Sequence, residues 1–428
     1  MGNYHHLSLC CTLMLAVAGW LAPGAVTAAP ADQSLEHWIR ISLEHNPDIN
    51  AAYHRWQSET AFSESAGALP DPSLSFDYFI DEIQTRTGPQ EYRIVLAQKL
   101  PWFGKRRLQS EIAGAMADEA HYQVLETRLA LTRQLTGVWA EGIYLERELA
   151  ITQDNLTLLE QIERIARTRY RLARASHPDL IRVQLQRSKI ENQLTSLDRQ
   201  RADLIAWLAE LSNQPVLADF SWPSRFPELP PLPPEDVLLE SLHNQSPKLA
   251  QLRMRITART RQAEASELQN RPDFTVKYGR MFTGEAVNPD MEGSGEDPQF
   301  VGVGINIPLW LNKNRSVINA AHESRVQAEY AFEAARQMLK RELMQSLYQF
   351  RDAETQLERF QYALLPQAEN SLTTVLKSYQ TGNSDFSDLL ETEKLLLNLK
   401  LEQAKLRMVR WKAYAAIQQL TAIEPLQP

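Results

Sequence analysis

At 428 residues and a formal charge of −8, the chain is long enough for several ordinary domains but carries no broad basic footprint for nucleic acid. Its two cysteines, Cys10 and Cys11, both sit inside the first apolar run, so no disulfide framework is expected. Beyond that run no stretch reaches the ~18 apolar residues a membrane-spanning helix needs, so any entry into a membrane must be made by strands.

The first segment, Leu7 to Leu21, is short and apolar, and Val26-Thr27-Ala28 offers a small-residue cleavage site. Together they predict a secretory signal peptide over residues 1–28. A lipid-modified cysteine is the sharper alternative, but a cysteine in the middle of the apolar run leaves too short a targeting segment before it. From there on the sequence repeats itself. Asn46-Pro47-Asp48 returns as Ser246-Pro247-Lys248, and Pro72-Ser73-Leu74-Ser75 as Pro272-Asp273-Phe274-Thr275, both at +200. Tyr170, Asp179, Leu197 and Leu211 return as Tyr379, Asp388, Leu406 and Leu420 at +209. The reading is a first repeat over 29–212, a proline-rich linker over 213–234 laid on the outside, a second repeat over 235–422 and a tail over 423–428. Such a duplication describes one composite body to which each half contributes an equivalent element.

Each repeat reads helix, two strands, very long helix, shorter helix. Pro47, Pro178 and Pro247 suit first helical positions after Asn46, His177 and Ser246. Leu74, Phe76, Tyr78 and Ile80 alternate with polar residues, as do Tyr92, Ile94 and Leu96. Phe274, Val276, Tyr278 and Phe282, then Val301, Val303, Ile305 and Ile307, repeat the device, giving four strands in two hairpins. Leu131, Leu135, Val138, Leu145, Leu149, Leu156 and Leu159 hold one heptad frame that Gly142 and Thr152 fill. Ile190, Leu194, Leu197, Leu204, Leu208 and Leu211 continue it in the next helix, broken at Arg201. Lys105 to Tyr170 alone implies a rod of about 100 Å at 1.5 Å per residue, along which the two shorter helices could stack end to end.

Four strands cannot close a barrel, since the smallest membrane barrels have about eight. Either the chain oligomerises or the strands form a minor soluble sheet packed on helices. Tyr78, Tyr92, Trp102 and Phe103 in one half, and Tyr278, Phe282 and Trp310 in the other, fall where a membrane-interface girdle places aromatics. Lys105, Arg106, Arg107, Lys313 and Arg315 follow on the water side. Other signals are discounted. Gly302-Val303-Gly304 lies in an alternating strand and lacks the third glycine of a nucleotide loop. The histidines have no metal-ligand spacing, no nucleophile-base-acid set recurs, and the acidic stretch Thr283 to Gln299 reads as a solvated loop. No cofactor, no metal and no enzymatic activity are expected.

The signal segment, the duplicated strand-pair and hairpin unit, and three specific stretches resemble the TolC family of outer-membrane efflux channels. The stretches are Leu69-Pro70-Asp71-Pro72, Leu100-Pro101-Trp102-Phe103-Gly104-Lys105, and Tyr379-Gln380-Thr381-Gly382 through Asp388-Leu389-Leu390-Glu391. The resemblance implies a mainly α fold with a small β part. Three chains would build a twelve-stranded outer-membrane β-barrel over a coiled-coil α-barrel that extends into the periplasm. It implies as partners a homotrimer, outer-membrane lipid, a periplasmic adaptor (membrane fusion) protein and an inner-membrane RND-type pump. The strand pairs look most like the branch serving heavy-metal efflux, although drug efflux and type I protein secretion use the same architecture. A periplasmic structural coiled coil is the reading of another class. In the family, acidic side chains ring the closed periplasmic end, and Asp388 and Glu391 hold the matching positions as gate. The bland alternative is that Asp388 only complements its helix dipole. Tyr170, Arg174, Asp179, Arg182, Tyr379 and Gly382 are the hairpin-tip residues and candidate closed-state contacts. Ser384 stands where some relatives carry a locking arginine, which leaves Arg174 and Arg182 as substitutes.

Overall fold

The computed structural model describes residues 34–216, 220–288 and 290–422. The signal segment, both cysteines and the tail after 422 lie outside the described residues. Helix α1 (Leu35–His45) starts where the Ser34 hydroxyl accepts the His37 N–H, and α2 (Pro47–Ala66) where the Asn46 side chain accepts from Asp48 and Ile49. Strands β1 (Ser73–Thr85) and β2 (Gly88–Leu100) precede α3 (Lys105–Arg171) and α4 (His177–Ser212). The second half follows the same order: α5 (Glu235–Gln245), α6 (Pro247–Glu267), β3 (Phe274–Thr283), β4 (Gln299–Ile305), α7 (Leu311–Arg359), α8 (Leu365–Thr381) and α9 (Phe386–Thr421). Helices α4 and α9 have 36 residues each.

The 67 residues of α3 make a rod of about 100 Å. Both α2 and α4 pack along it, and their ends meet, because Asn46 Nδ2 donates to the Leu211 carbonyl and Asn213 Nδ2 to that of His45. In the second half α6 packs on α7, and α9 packs along α7 and α8. The heptad positions Leu131, Leu135, Val138, Leu145 and Leu159 are all buried, as the seam requires. Arg201 breaks the α4 seam because it is committed elsewhere: it donates to Glu146 at 2.9 Å and to the Phe220 carbonyl at 2.9 Å.

Two differences from the sequence reading have clear causes. The linker does not simply lie outside. Phe220 and Trp222 insert into the core beside Trp38, Leu135 and Trp139, and the Trp222 ring occupies the space that a side chain at position 142 would fill. A Cβ at Gly142 would lie 2.2 Å from that ring, so the gap in the heptad frame is a socket. The second long helix is also not continuous. A π-helical turn over Phe360–Leu364 separates α7 from α8, immediately before Pro366, whose missing N–H and ring cannot fit a regular helix interior.

The two hairpins join through β2 and β3 into one antiparallel sheet of order β1-β2-β3-β4. β1 and β2 run longer than the alternation suggested, whereas β4 ends at Ile305. There the Asn306 backbone turns to donate to the Asp273 carbonyl at 3.1 Å, which takes Ile307 out of the sheet.

Candidate functional site

The register gives the sheet two unlike faces. Tyr78 pairs with Tyr92 and that with Phe282; Phe76 pairs with Ile94; Leu74 pairs with Leu96, that with Tyr278, and that with Val301. Paired residues share a face, so this one is mainly aromatic and aliphatic, with Gln98, Arg280 and Gln299 as its polar members on the paired strands. Leu74, Phe76, Tyr78, Ile80, Val301 and Val303 are exposed on it, Ile80 at 91%. The opposite face carries Ser73, Ser75 and Asp77, then Arg93 and Lys99, then Thr275 and Lys277, then Gly302 and Gly304. Asp77 and Arg93 form an ion pair across it at 2.7 Å. Phe300 lies over Gly279 so closely that a Cβ there would come within 2.4 Å of its ring. An exposed apolar face of this extent needs a cover, and no helix among the described residues is long and apolar enough to cross a membrane. The sheet's outer strands β1 and β4 each leave one edge unpaired.

The expected interface aromatics fall at two levels. Tyr92 stacks on Phe282 at 4.4 Å in the outer half of the sheet, beside Tyr78. Trp102 stacks on Phe274 at 5.7 Å where the strands meet the helices, and Phe103 and Trp310 stand exposed at that junction. Tyr278 lies between the levels. Asp273 was not singled out by the sequence, yet it organises the junction. Its carboxylate accepts from the Trp102 N–H at 3.0 Å and from Lys105 Nζ at 2.7 Å, with Lys99 at 3.3 Å. Lys105 is therefore a clamp between the two repeats as well as a cation at the boundary. In the acidic β3–β4 loop, Asp297 is likewise structural, bonded to Arg280 and to the Thr283 N–H.

At the far end two turns lie together. The first passes through Ala173 in the left-handed region and is capped where Ser176 and Asp179 exchange hydrogen bonds, which fixes Asp179 as a capping residue. The second turns at Gly382, with φ +93°, the conformation that glycine tolerates. The paired tyrosines differ: Tyr170 is 44% exposed and packs on His177, whereas Tyr379 is 3% exposed and packs on Phe386. Arg169, which the sequence reading passed over, ties the turns by donating to the Tyr379 carbonyl and lying 4.3 Å over its ring. Burial pushes the Tyr379 hydroxyl above its usual range. Arg174 is exposed, and Arg182 donates to the Ser387 hydroxyl at 3.0 Å. Asp388 and Glu391 are both exposed; Ser384 reaches Asp388 at 3.4 Å, and Glu391 lines a groove with Arg182, Lys189 and Lys394.

Further from the tip, two buried carboxyls interrupt the seam. Burial alone would raise Glu163, but hydrogen bonds from Arg167 and Gln184 and the charge of Arg187 outweigh it and hold the carboxyl below its ordinary value. Glu393 is fully buried, accepts from the Asn155 amide and leaves its second oxygen without a partner, so burial raises it. Among the described residues no group of three or more His, Cys, Asp or Glu could hold a metal ion.

Comparison with known proteins agrees with this geometry. Residues 238–422 match the model of the family described as outer membrane efflux protein. Nodulation protein T of Rhizobium leguminosarum bv. trifolii is 22% identical over 401 residues, covering 90% of this chain and 85% of that one. The outer membrane protein VceC of Vibrio cholerae superposes with a TM-score of 0.76 at 18% identity, over 90% of this chain and 95% of that one. The outer-membrane channel OprN gives 0.78 at 16% identity, over 90% and 89% of the two chains. Residues 238–422 thus match the outer membrane efflux protein family, and nine-tenths of the chain shares the fold of the outer membrane protein VceC and the outer-membrane channel OprN.

Proposed function

We propose that three copies close into a twelve-stranded barrel over a periplasmic tunnel, forming the passive outer conduit of a tripartite efflux system. The observation that carries this is the four-stranded sheet with one apolar face, one polar face and two open edges. Open edges are not tolerated in lipid, and three such sheets joined β4 to β1 leave none. The aromatic levels support the same placement. Phe274 to Phe282 spans about 27 Å of strand, or roughly 20 Å of height at a 35–45° tilt, close to the ~25 Å apolar band of such barrels. The repeats over 29–212 and 235–422 would then contribute one hairpin each to the wall, with the tips meeting a periplasmic adaptor fed by an inner-membrane RND-type pump.

The proposed cargo is heavy-metal cations, with drugs or secreted proteins as the alternatives. Asp388 and Glu391, exposed at the start of α9, support a cation-attracting mouth, Asp388 more than Glu391, which has cations around it. Planar-bilayer recordings test this. Asp388→Asn with Glu391→Gln should lower the cation-to-anion permeability ratio with trimer assembly intact. An unchanged ratio would return both acids to the role of helix-start charges and remove the support for a cationic cargo. A periplasmic coiled coil without a membrane role leaves the exposed apolar sheet face unexplained.

A further inference from the structure

The two tips hold equivalent places in the repeats and carry opposite charge. Residues 164–189 carry eight arginines and lysines against one aspartate, while their repeat equivalents, 373–398, carry two lysines and four acids. Arg164, Arg171, Arg174 and Arg182 correspond at +209 to Thr373, Gln380, Asn383 and Glu391. Some of these cations have internal partners. Arg167 and Arg187 are paired with Glu163, and Arg169 is held by Tyr379. Arg164, Arg171 and Arg174 have no acidic partner among the described residues.

The negative end of the α3 dipole accounts for Arg169 and Arg171 in the last turn. It does not account for Arg164 further in, nor for Arg174 beyond the helix end. Nor is such a cluster needed to end a helix here, because α8 finishes at the matching tip with no base in its last turn. Two of the three unpaired side chains, Arg164 and Arg174, also converge. A cleft of about 670 Å³ opens between the tips, lined by Arg164, Thr168, Arg169 and Arg174 from the first and by Gln380 to Gly382 from the second. Leu172, 61% exposed, adds an apolar contact at its edge. The chain's own tip acid Glu391 lines a different groove, against α4.

We propose that this cleft receives an acidic helical tip of a partner protein, whose Asp and Glu side chains pair with Arg164 and Arg174. The inference rests on the reading that the tips meet a periplasmic partner, and it adds two things: the partner's contacting residues are anionic, and the first tip is its principal seat. Opposite charges across such an interface speed encounter and fix register, and salt screens them.

The test uses the full chain as its detergent-solubilised assembly and, as probe, a designed antiparallel helical hairpin with glutamates at its turn, compared with the same hairpin carrying glutamines. The glutamate probe should bind at least about tenfold more tightly at low salt, and the difference should vanish by ~0.5 M salt. Arg164→Gln with Arg174→Gln should abolish that preference, while Lys377→Gln on the second tip should leave it. Equal binding of the two probes, or an unchanged preference in the double variant, would overturn the proposal. A gain in probe binding when Asp385, Asp388 and Glu391 are neutralised would also overturn it, by identifying a neighbouring copy's second tip as the occupant. Bilayer conductance of the same double variant separates this from the channel reading: a normal pore with no probe preference would fail the cleft alone.

Discussion

The first hairpin, α3 with α4, and the second, α7 and α8 with α9, hold one register at +209 and yet are built differently. The first long helix runs unbroken for 67 residues, takes the Trp222 ring into a glycine socket and surrounds its buried acid with two arginines and a glutamine. The second is interrupted by a π-helical turn before Pro366, has an exposed arginine in place of that glycine and leaves its buried acid half-satisfied. What the duplication keeps is length and seam geometry. Kink, socket and charge are free to diverge, because the seam demands only apolar residues at its own positions.

The kink gives the largest expected difference. Thr157 is the first-hairpin counterpart of Pro366 and lies in unbroken helix. Thr157→Pro should cost about 3 kcal/mol or more, read as a fall in unfolding midpoint by circular dichroism in detergent. Pro366→Ala should cost little, and hydrogen exchange over Phe360–Leu364 should slow as the π turn relaxes to α-helix. If Thr157→Pro were as well tolerated as the native proline, the two rods would be equally plastic and the contrast would fail.

The socket comes next. Gly142→Ala drives a methyl group into the Trp222 ring and should destabilise by about 1–3 kcal/mol. Its counterpart Arg351 is exposed and paired with Glu235, so Arg351→Ala should stay within about 0.5 kcal/mol. A quenched Trp222 fluorescence change in Gly142→Ala would locate the damage.

The buried acids sharpen the contrast through pH, with opposite signs. Glu163 is lowered in the fold, so its contribution is present above the unfolded carboxylate value and is lost as pH falls through the folded value. Glu393 is raised, so the fold binds its proton more tightly than the unfolded chain does. Its contribution is complete below the unfolded value and declines as pH rises through the folded one. Glu163→Gln should cost about 1 kcal/mol at neutral pH, after allowance for the solvent that screens Arg167 and Arg187. Glu393→Gln should stabilise by about 1–2 kcal/mol at neutral pH, since it keeps an acceptor for Asn155 and removes a buried ionisable group. Unfolding curves at two pH values decide it: a neutral or destabilising Glu393→Gln would mean that the carboxyl is ionised and paired.

Most of the architecture was legible from residues alone, because periodicity is a property of the chain. Leu135 and Val138 announced the seam, and the alternation of Phe76 and Tyr78 announced the strands. What escaped depends on contacts between segments distant in sequence. Gly142 reads as a weak heptad position until Trp222, 80 residues away, is seen to fill it. Asp273 reads as a strand-start acid until Lys105 and the Trp102 N–H reach it from the other repeat. Pro366 was visible, but a proline alone does not say whether the helix around it breaks, kinks or takes up a π turn. At the tip, Tyr170 and Tyr379 look equivalent in sequence, and only packing against Phe386 and Arg169 separates them.

The central claim is that one chain's sheet is a third of a closed barrel. Native mass measurement of the detergent-solubilised protein, together with image classification down the symmetry axis, tests it most directly. Three chains around one axis, with β4 of each copy beside β1 of the next, is the expected result; a stable monomer, or an assembly in which those edges stay open, would contradict it.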